Sequence, residues 1–222
     1  MTYGAAAVLV TTGIAVAAWA AVVVLHTTGH HHLATHQEVF ESPNPSGELA
    51  AFFAAWLLMV AAMMLPTVLP VVRSLPTGAV RFLVGYVAAW TGFGVVALAG
   101  DTAVHRLVDS WAWLGDHPQL VAAGVLLAAG IYQLSPLKRH HLDNVRRAGA
   151  GRRYTASCLA CCGGLMLVMF AVGVGSLGWM VVLTAAMITE KVLPAGYRLA
   201  RVLGAALVGA AVLTVLSPGT VA

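Results

Sequence analysis

Charged side chains are scarce in this sequence. Lysine, arginine, aspartate and glutamate together make up 9% of its 222 residues, hydrophobic residues make up 60%, and the mean hydropathy is +0.87. A soluble domain carries about 25% charged residues, which it needs to cover a surface that faces water. The composition therefore excludes an ordinary soluble domain and predicts an all-α protein that crosses a membrane several times.

The sequence also lacks a concentrated run of positive charge. Its formal net charge is +4, and its lysines and arginines are divided among short segments between apolar runs. Nucleic-acid binding requires a basic patch or stripe on one face of a protein. Nucleic acid is therefore excluded as a partner, and the lipid bilayer is the expected one.

Cysteine is rare and is confined to one short segment. Cys158, Cys161 and Cys162 all lie within CLACCGGLM. An odd number of cysteines in one segment does not form a disulfide framework, and thiols on the reducing side of a membrane stay free. The cysteines are therefore interpreted as packing residues or as ligands.

Motifs of common enzymes are absent. The sequence has no HExxH, no Walker loop and no GxSxG. Its histidines lie at the ends of apolar runs, whereas a haem or quinone protein would place histidine pairs inside them. A binding or handling protein is therefore favoured over an enzyme.

Seven apolar runs approach the roughly 20 residues that a membrane-spanning helix needs. If the N-terminus lies inside, every lysine and arginine except Arg106 falls in an inner loop, as the positive-inside rule requires. We expect one membrane domain over residues 1–222, a polytopic bundle in a bacterial inner membrane, with six spans as the alternative count. The predicted spans are 4–25, 49–72, 81–100, 119–136, 156–175, 177–194 and 198–216.

A histidine-rich segment follows the first predicted span. The outer loop at 26–48 contains HTTGHHHLATHQE. Imidazole groups at this density bind several transition metals with little selectivity. Two interpretations stay open, a segment that captures metal and a plain polar connector.

Five sulfur-containing side chains share one face of the fifth predicted span. Cys158, Cys161, Cys162, Met166 and Met169 are related by steps of three and four residues, which bring side chains to one side of a helix. Thiolate and thioether sulfurs are soft ligands that select Cu(I), and thiolates also bind zinc. The alternative is that these residues only pack, as buried cysteine and methionine commonly do.

Three other segments place unusual side chains at the same predicted depth. Met63 and Met64 lie in the inner half of the second span, His141 lies just past the fourth, and Glu190 lies near the inner end of the sixth. An acidic side chain within a span is costly and marks a functional site by default, although an ion pair with a lysine or arginine would also explain it. The predicted metal site comprises Cys158, Cys161, Cys162, Met63, Met64, Met166, His141 and Glu190.

Several motifs resemble those of a known family. They are, in chain order, WLLMVAAMMLP, GIYQLSPLK, CLACCGGLM and EKVLPAG, and they are similar to motifs of the DUF2182 family of bacterial integral membrane proteins, which are predicted to bind metal. The resemblance runs from Trp56 to Gly196, within a family-like core at 49–196, and it implies a multi-span protein with a metal site but no particular reaction. Two cysteines of the family pattern are His141 and Val145 here, and of these only His141 can be a ligand.

Together these observations favour a membrane protein that handles copper, in delivery, insertion or tolerance, with zinc as the second choice of metal. Its partner would be a metal-receiving protein or a membrane complex. Two alternatives stay open. In one, the chain is an accessory subunit of a larger complex and its sulfurs only pack; in the other, it is a proton-coupled transporter that uses Glu190.

Overall fold

The protein is entirely helical in the part of the chain that the structure describes. The computed structural model describes residues 3–28, 45–75, 77–117, 119–172 and 176–216. These residues form no strand, which confirms the predicted fold class, and each predicted span coincides with a helix apart from differences at its ends. The helices are α1 (Tyr3–Thr27), α2 (Pro45–Arg73), α3 (Ala79–Ser110), α4 (Ala112–Gly115), α5 (Gln119–Leu134), α6 (Pro136–Arg147), α7 (Arg152–Val172), α8 (Leu177–Val192) and α9 (Gly196–Leu216).

Four of these helices are long and apolar enough to cross a membrane by themselves. They are α1, α2, α3 and α9, and a fifth span is present if α5 and α6, which meet at a bend of 64°, cross together. The described chain is therefore a multi-pass membrane protein by length and composition. Seven spans with the N-terminus inside stays a prediction, and most of the histidine-rich loop, 29–44, lies outside the described residues.

The bend between α5 and α6 arises from a local sequence signal. Ser135 is the N-cap of α6, and its side-chain oxygen accepts a hydrogen bond of 3.2 Å from the backbone N–H of Lys138. Pro136 follows in the first turn, where a missing N–H costs nothing. The new helix direction packs α6 against α7 and α8 and places Lys138 beside Cys161 of α7 and Glu190 of α8.

Close packing of α5 and α9 depends on two glycines. These helices make the most extensive contact in the described bundle. A Cβ atom on Gly130 would lie 2.9 Å from the backbone oxygen of Gly204, and one on Gly204 would lie 3.0 Å from the backbone oxygen of Gly130. Small residues at a helix crossing allow the backbones to approach in this way.

The core of the bundle is rich in sulfur. Methionine and cysteine side chains from α2, α7 and α8 are completely or almost completely buried, together with the aromatic rings of Tyr86, Trp90 and Tyr154. The ring of Tyr86 lies 6.4 Å from that of Tyr154 and 6.5 Å from that of Trp90. The three cysteines belong to this core.

Candidate metal centre

The three cysteines lie on one buried face of α7. Their side chains are free thiols, and none is more than 1% exposed. The sulfurs of Cys161 and Cys162 are 3.4 Å apart, and the thiol of Cys161 lies 3.5 Å from the backbone oxygen of Cys158. The structure therefore gathers three sulfur atoms within about one turn of a helix.

Polar groups from other helices contact the sulfur of Cys158. The ammonium of Lys191, on α8, donates a hydrogen bond to this sulfur over 3.1 Å, and the hydroxyl of Tyr86, on α3, lies 3.1 Å from it. The same ammonium donates to the hydroxyl oxygen of Thr67, on α2, over 2.8 Å. Four helices thus meet at Cys158.

The buried charges indicate the ionic state of Cys158. In the described chain, the buried charged side chains are those of Lys138, Glu190 and Lys191. Glu190 pairs with Lys138, and no carboxylate of the described chain pairs with Lys191. A buried charge without a partner is costly, so the geometry fits a Cys158 thiolate that neutralises Lys191. The thiolate is the form of cysteine that binds metals.

Glu190 is engaged in a second buried network. Its carboxylate lies 2.7 Å from the ammonium of Lys138 and accepts a hydrogen bond of 3.1 Å from the side-chain amide of Gln133. Lys138 also donates to the backbone oxygen of Cys161 over 2.5 Å. Glu190 therefore reaches the cysteine segment through Lys138, which is the ion-pair explanation that the sequence left open.

The predicted methionine ligands belong to the same core as the cysteines. Met63, Met64 and Met166 have no exposed surface. The hydroxyl of Thr67 donates to the backbone oxygen of Met64 over 2.8 Å while it accepts from Lys191. The turn of α2 that carries Met63 and Met64 is therefore adjacent to the residues that contact Cys158.

His141 lies on α6, outside this cluster. Its ring is half-buried and packs edge-on against the ring of His140, with centroids 5.6 Å apart. Its Nδ1 atom is buried and has no hydrogen-bond partner. No hydrogen bond or ring contact of the described chain joins His141 to the cysteines, so its place in the metal site stays a prediction.

A comparison with protein families identifies the chain. The family model described as PpoB2: Copper chaperone matches residues 53–214. The chain belongs to this copper chaperone family. The matched region contains all eight residues of the predicted metal site. No curated protein and no solved structure matches the chain.

Membership of the copper chaperone family supports the coarser part of the sequence prediction. Copper is the metal that the family description indicates, and the apolar helices are compatible with a multi-pass membrane protein. The family has a different name from DUF2182, so that name is not confirmed. Zinc receives no support from the match.

The ligand types in the cluster fit copper, although the described residues do not form a complete coordination site. No group of three or more histidine, cysteine, aspartate or glutamate side chains in the described ranges is arranged to hold a metal ion. Thiolates with nearby thioethers are nevertheless the soft ligands that Cu(I) prefers. In a copper chaperone the ion is cargo.

Sequence reasoning missed most of the polar partners of the cysteines. Tyr86 and Thr67 are ordinary residue types in apolar helices, and no spacing connects them to Cys158. Lys138 and Lys191 were covered only by the general expectation that a lysine or arginine pairs with Glu190. A usable signal was present in the sequence. Lys138 and Lys191 lie at the predicted depth of Glu190, whose single carboxylate can neutralise only one of them, so the other ammonium needs a different anion.

Proposed function

We propose that this protein is a membrane copper chaperone that carries Cu(I) on the thiols of Cys158, Cys161 and Cys162. The observation that carries the proposal is the cluster of three free, buried sulfurs on α7. Family membership supports copper as the cargo. Thioether groups from Met63, Met64 and Met166 complete the soft surroundings of the ion.

Lys191 acts as a fixed counter-ion in this proposal. Without copper, its ammonium neutralises the thiolate of Cys158, at 3.1 Å. Cu(I) then binds this thiolate and a second thiol, whose proton leaves to bulk water as the copper–sulfur bond forms, so that one positive charge enters as another departs. The pair of thiolates and the ion together carry one negative charge, which Lys191 again neutralises. The interior therefore stays neutral with and without cargo, and copper can be taken up and released at little electrostatic cost.

Glu190 and His141 have supporting roles. Glu190 holds Lys138 against the backbone oxygen of Cys161, and so keeps the cysteine turn of α7 in position. His141 offers an unpartnered ring nitrogen on α6, which suits a place where copper enters or leaves. The engagement of Glu190 with Lys138 and Gln133 gives the proton-transport alternative less support.

We also propose the finer topology and location. The protein has seven spans with its N-terminus inside and lies in a bacterial inner membrane, so that the cysteines lie in the cytoplasmic half of the bilayer. A copper-receiving protein or membrane complex is the partner. The histidine-rich segment between α1 and α2 collects metal on the outer side.

Copper content and Cu(I) affinity of the detergent-purified protein test this function. We expect the wild type to bind Cu(I), and Cys158→Ser combined with Cys162→Ser to weaken binding by at least about tenfold. Met180→Leu is the matched control, because Met180 is an equally buried sulfur residue outside the proposed site. Unchanged copper content in the double serine variant would refute the proposal, and co-purification of that metal-free protein with one defined partner would favour an accessory subunit.

A further inference from the structure

A groove distinct from the sulfur cluster runs between α3 and α7. Its volume is about 580 Å³, and it is partly open to the outside of the bundle. One wall is a stripe of α3 between Gly78 and Ala89, and the other is a stripe of α7 between Arg152 and Leu159. Residues on each stripe follow one another at steps of three and four, so each wall is a single helix face.

Positive charge is concentrated at one end of the groove. Arg81 lies in the first turn of α3, and Arg152 is the first residue of α7. Both side chains are exposed, and neither pairs with a carboxylate of the described chain. Two guanidinium groups at one end of a groove match the oxygens of a phosphate group.

Beyond the arginines, the walls are apolar and small. Gly85 and Ala89 follow Arg81 along α3, and Phe82 and Leu159 complete the apolar lining. A Cβ atom added at Gly85 would meet nothing within 4 Å, so no part of the described chain fills this space. Ala89 lies about 12 Å beyond Arg81 along the helix axis. A polar metabolite would leave this apolar length uncovered, whereas an acyl chain matches it.

We propose that this groove binds an anionic phospholipid. The phosphate lies between Arg81 and Arg152, and an acyl chain lies over Gly85 and Ala89. Basic pockets between membrane helices on the cytoplasmic side are suited to anionic headgroups, and the positive-inside pattern places both arginines on that side. The volume of this groove is that of a site for one small ligand. A stable protein–protein interface would bury a much larger surface area than a single groove offers.

The groove and the sulfur cluster share a wall. The ring of Phe82 lies 6.0 Å from that of Tyr86 and 5.8 Å from that of Tyr154, and Tyr86 contacts Cys158. Lipid content is nevertheless measured independently of copper content. Failure of the copper proposal would therefore leave the lipid proposal intact, and the converse also holds.

The full chain, purified in a mild detergent, is exposed to vesicles of phosphatidylglycerol or of phosphatidylcholine. The lipid that it retains is then quantified by native mass spectrometry and by extraction. We expect wild type to retain phosphatidylglycerol, and Arg81→Gln combined with Arg152→Gln to lose it by about tenfold or more. Arg73→Gln combined with Arg147→Gln removes the same charge from exposed positions outside the groove, and should retain the lipid.

Gly85→Leu tests the apolar part without changing charge. Its side chain should fill the groove and displace the lipid. If Gly85→Leu does not fold, Ala89→Leu is tested in its place. Retention of phosphatidylglycerol by both the arginine and the leucine variants would overturn the proposal. Three other results would also overturn it. They are equal retention of phosphatidylcholine, binding of inorganic phosphate as strong as that of the lipid, and a wild-type dimer that the Gly85→Leu change dissociates.

Discussion

Lys191 and Cys158 make a contact that is unusual inside an apolar bundle. Both side chains are buried, and the ammonium lies 3.1 Å from the sulfur. Since the carboxylate of Glu190 is already paired with Lys138, the sulfur is the anion available to Lys191 in the described chain. Under the proposed function, this pairing makes Cys158 the first of the three thiols to bind Cu(I).

Replacing Lys191 with methionine should weaken Cu(I) binding by about tenfold or more, because the copper–dithiolate would then be buried without a counter-charge. Competition with a Cu(I) chelator of known affinity measures the change. Lys191→Arg keeps the positive charge and should retain more of the affinity. An affinity of Lys191→Met equal to that of wild type would contradict the counter-ion role.

The pair of Glu190 and Lys138 should contribute to stability rather than to proton transfer. Glu190→Gln leaves the ammonium of Lys138 buried and unpaired, and is expected to lower the free energy of unfolding by about 3–5 kcal/mol. Combining it with Lys138→Met removes both charges and should recover part of the loss. Reversible unfolding in mixed micelles gives these values, and a stable Glu190→Gln single variant would show that the pair is dispensable.

At the scale of elements, two local features set where α5 and α6 lie. The Ser135 cap and Pro136 end one helix and begin the next, which turns α6 toward the cysteine helix. Gly130 and Gly204 let α5 and α9 approach until backbone contacts backbone. The position of Lys138 beside Cys161 follows from both features, because α5 leads directly into α6.

Gly130→Ala should destabilise the α5–α9 contact. The added methyl group would lie 2.9 Å from the backbone oxygen of Gly204, so the helices must separate, at a cost of about 1–3 kcal/mol. Gly124→Ala is the control on the same helix, because its Cβ atom meets nothing within 4 Å and alanine favours helix formation. Thermal unfolding compares the two variants, and equal stability would indicate that the helices can adjust freely.

At the scale of the whole molecule, topology decides the side of the membrane on which the sulfur cluster lies. Four helices qualify as spans by themselves, and the bent pair of α5 and α6 adds a fifth. The seven-span proposal adds α7 and α8 and separates α5 from α6. With the N-terminus inside, the five-span and seven-span counts place the connection between α7 and α8 on opposite sides of the membrane.

Reporter fusions distinguish these counts. With seven spans and the N-terminus inside, a periplasmic alkaline phosphatase fused after residue 116 or after residue 175 should be active, and one fused after residue 150 should be inactive. If only α1, α2, α3, the α5–α6 pair and α9 cross, the fusion after residue 175 should be inactive. Fluorescent-protein fusions at the same positions give the opposite pattern and serve as the control.

The sequence by itself determined the membrane class, the helical architecture and the residues that can bind a soft metal. These properties depend on composition and on spacing along one helix, as for Cys158, Cys161 and Cys162, whose common face follows from the period of the α-helix. The copper interpretation was also available from sulfur chemistry alone.

Tertiary structure alone decided which polar groups surround these sulfurs. Tyr86, Thr67 and Lys191 come from three different helices and meet at or beside Cys158. Glu190 pairs with Lys138 rather than with its chain neighbour Lys191. Spacing along one helix carries no information about which helices become neighbours. Neighbours are selected by packing, here by close crossings such as that of Gly130 with Gly204, and the burial of charge then dictates which side chains must pair.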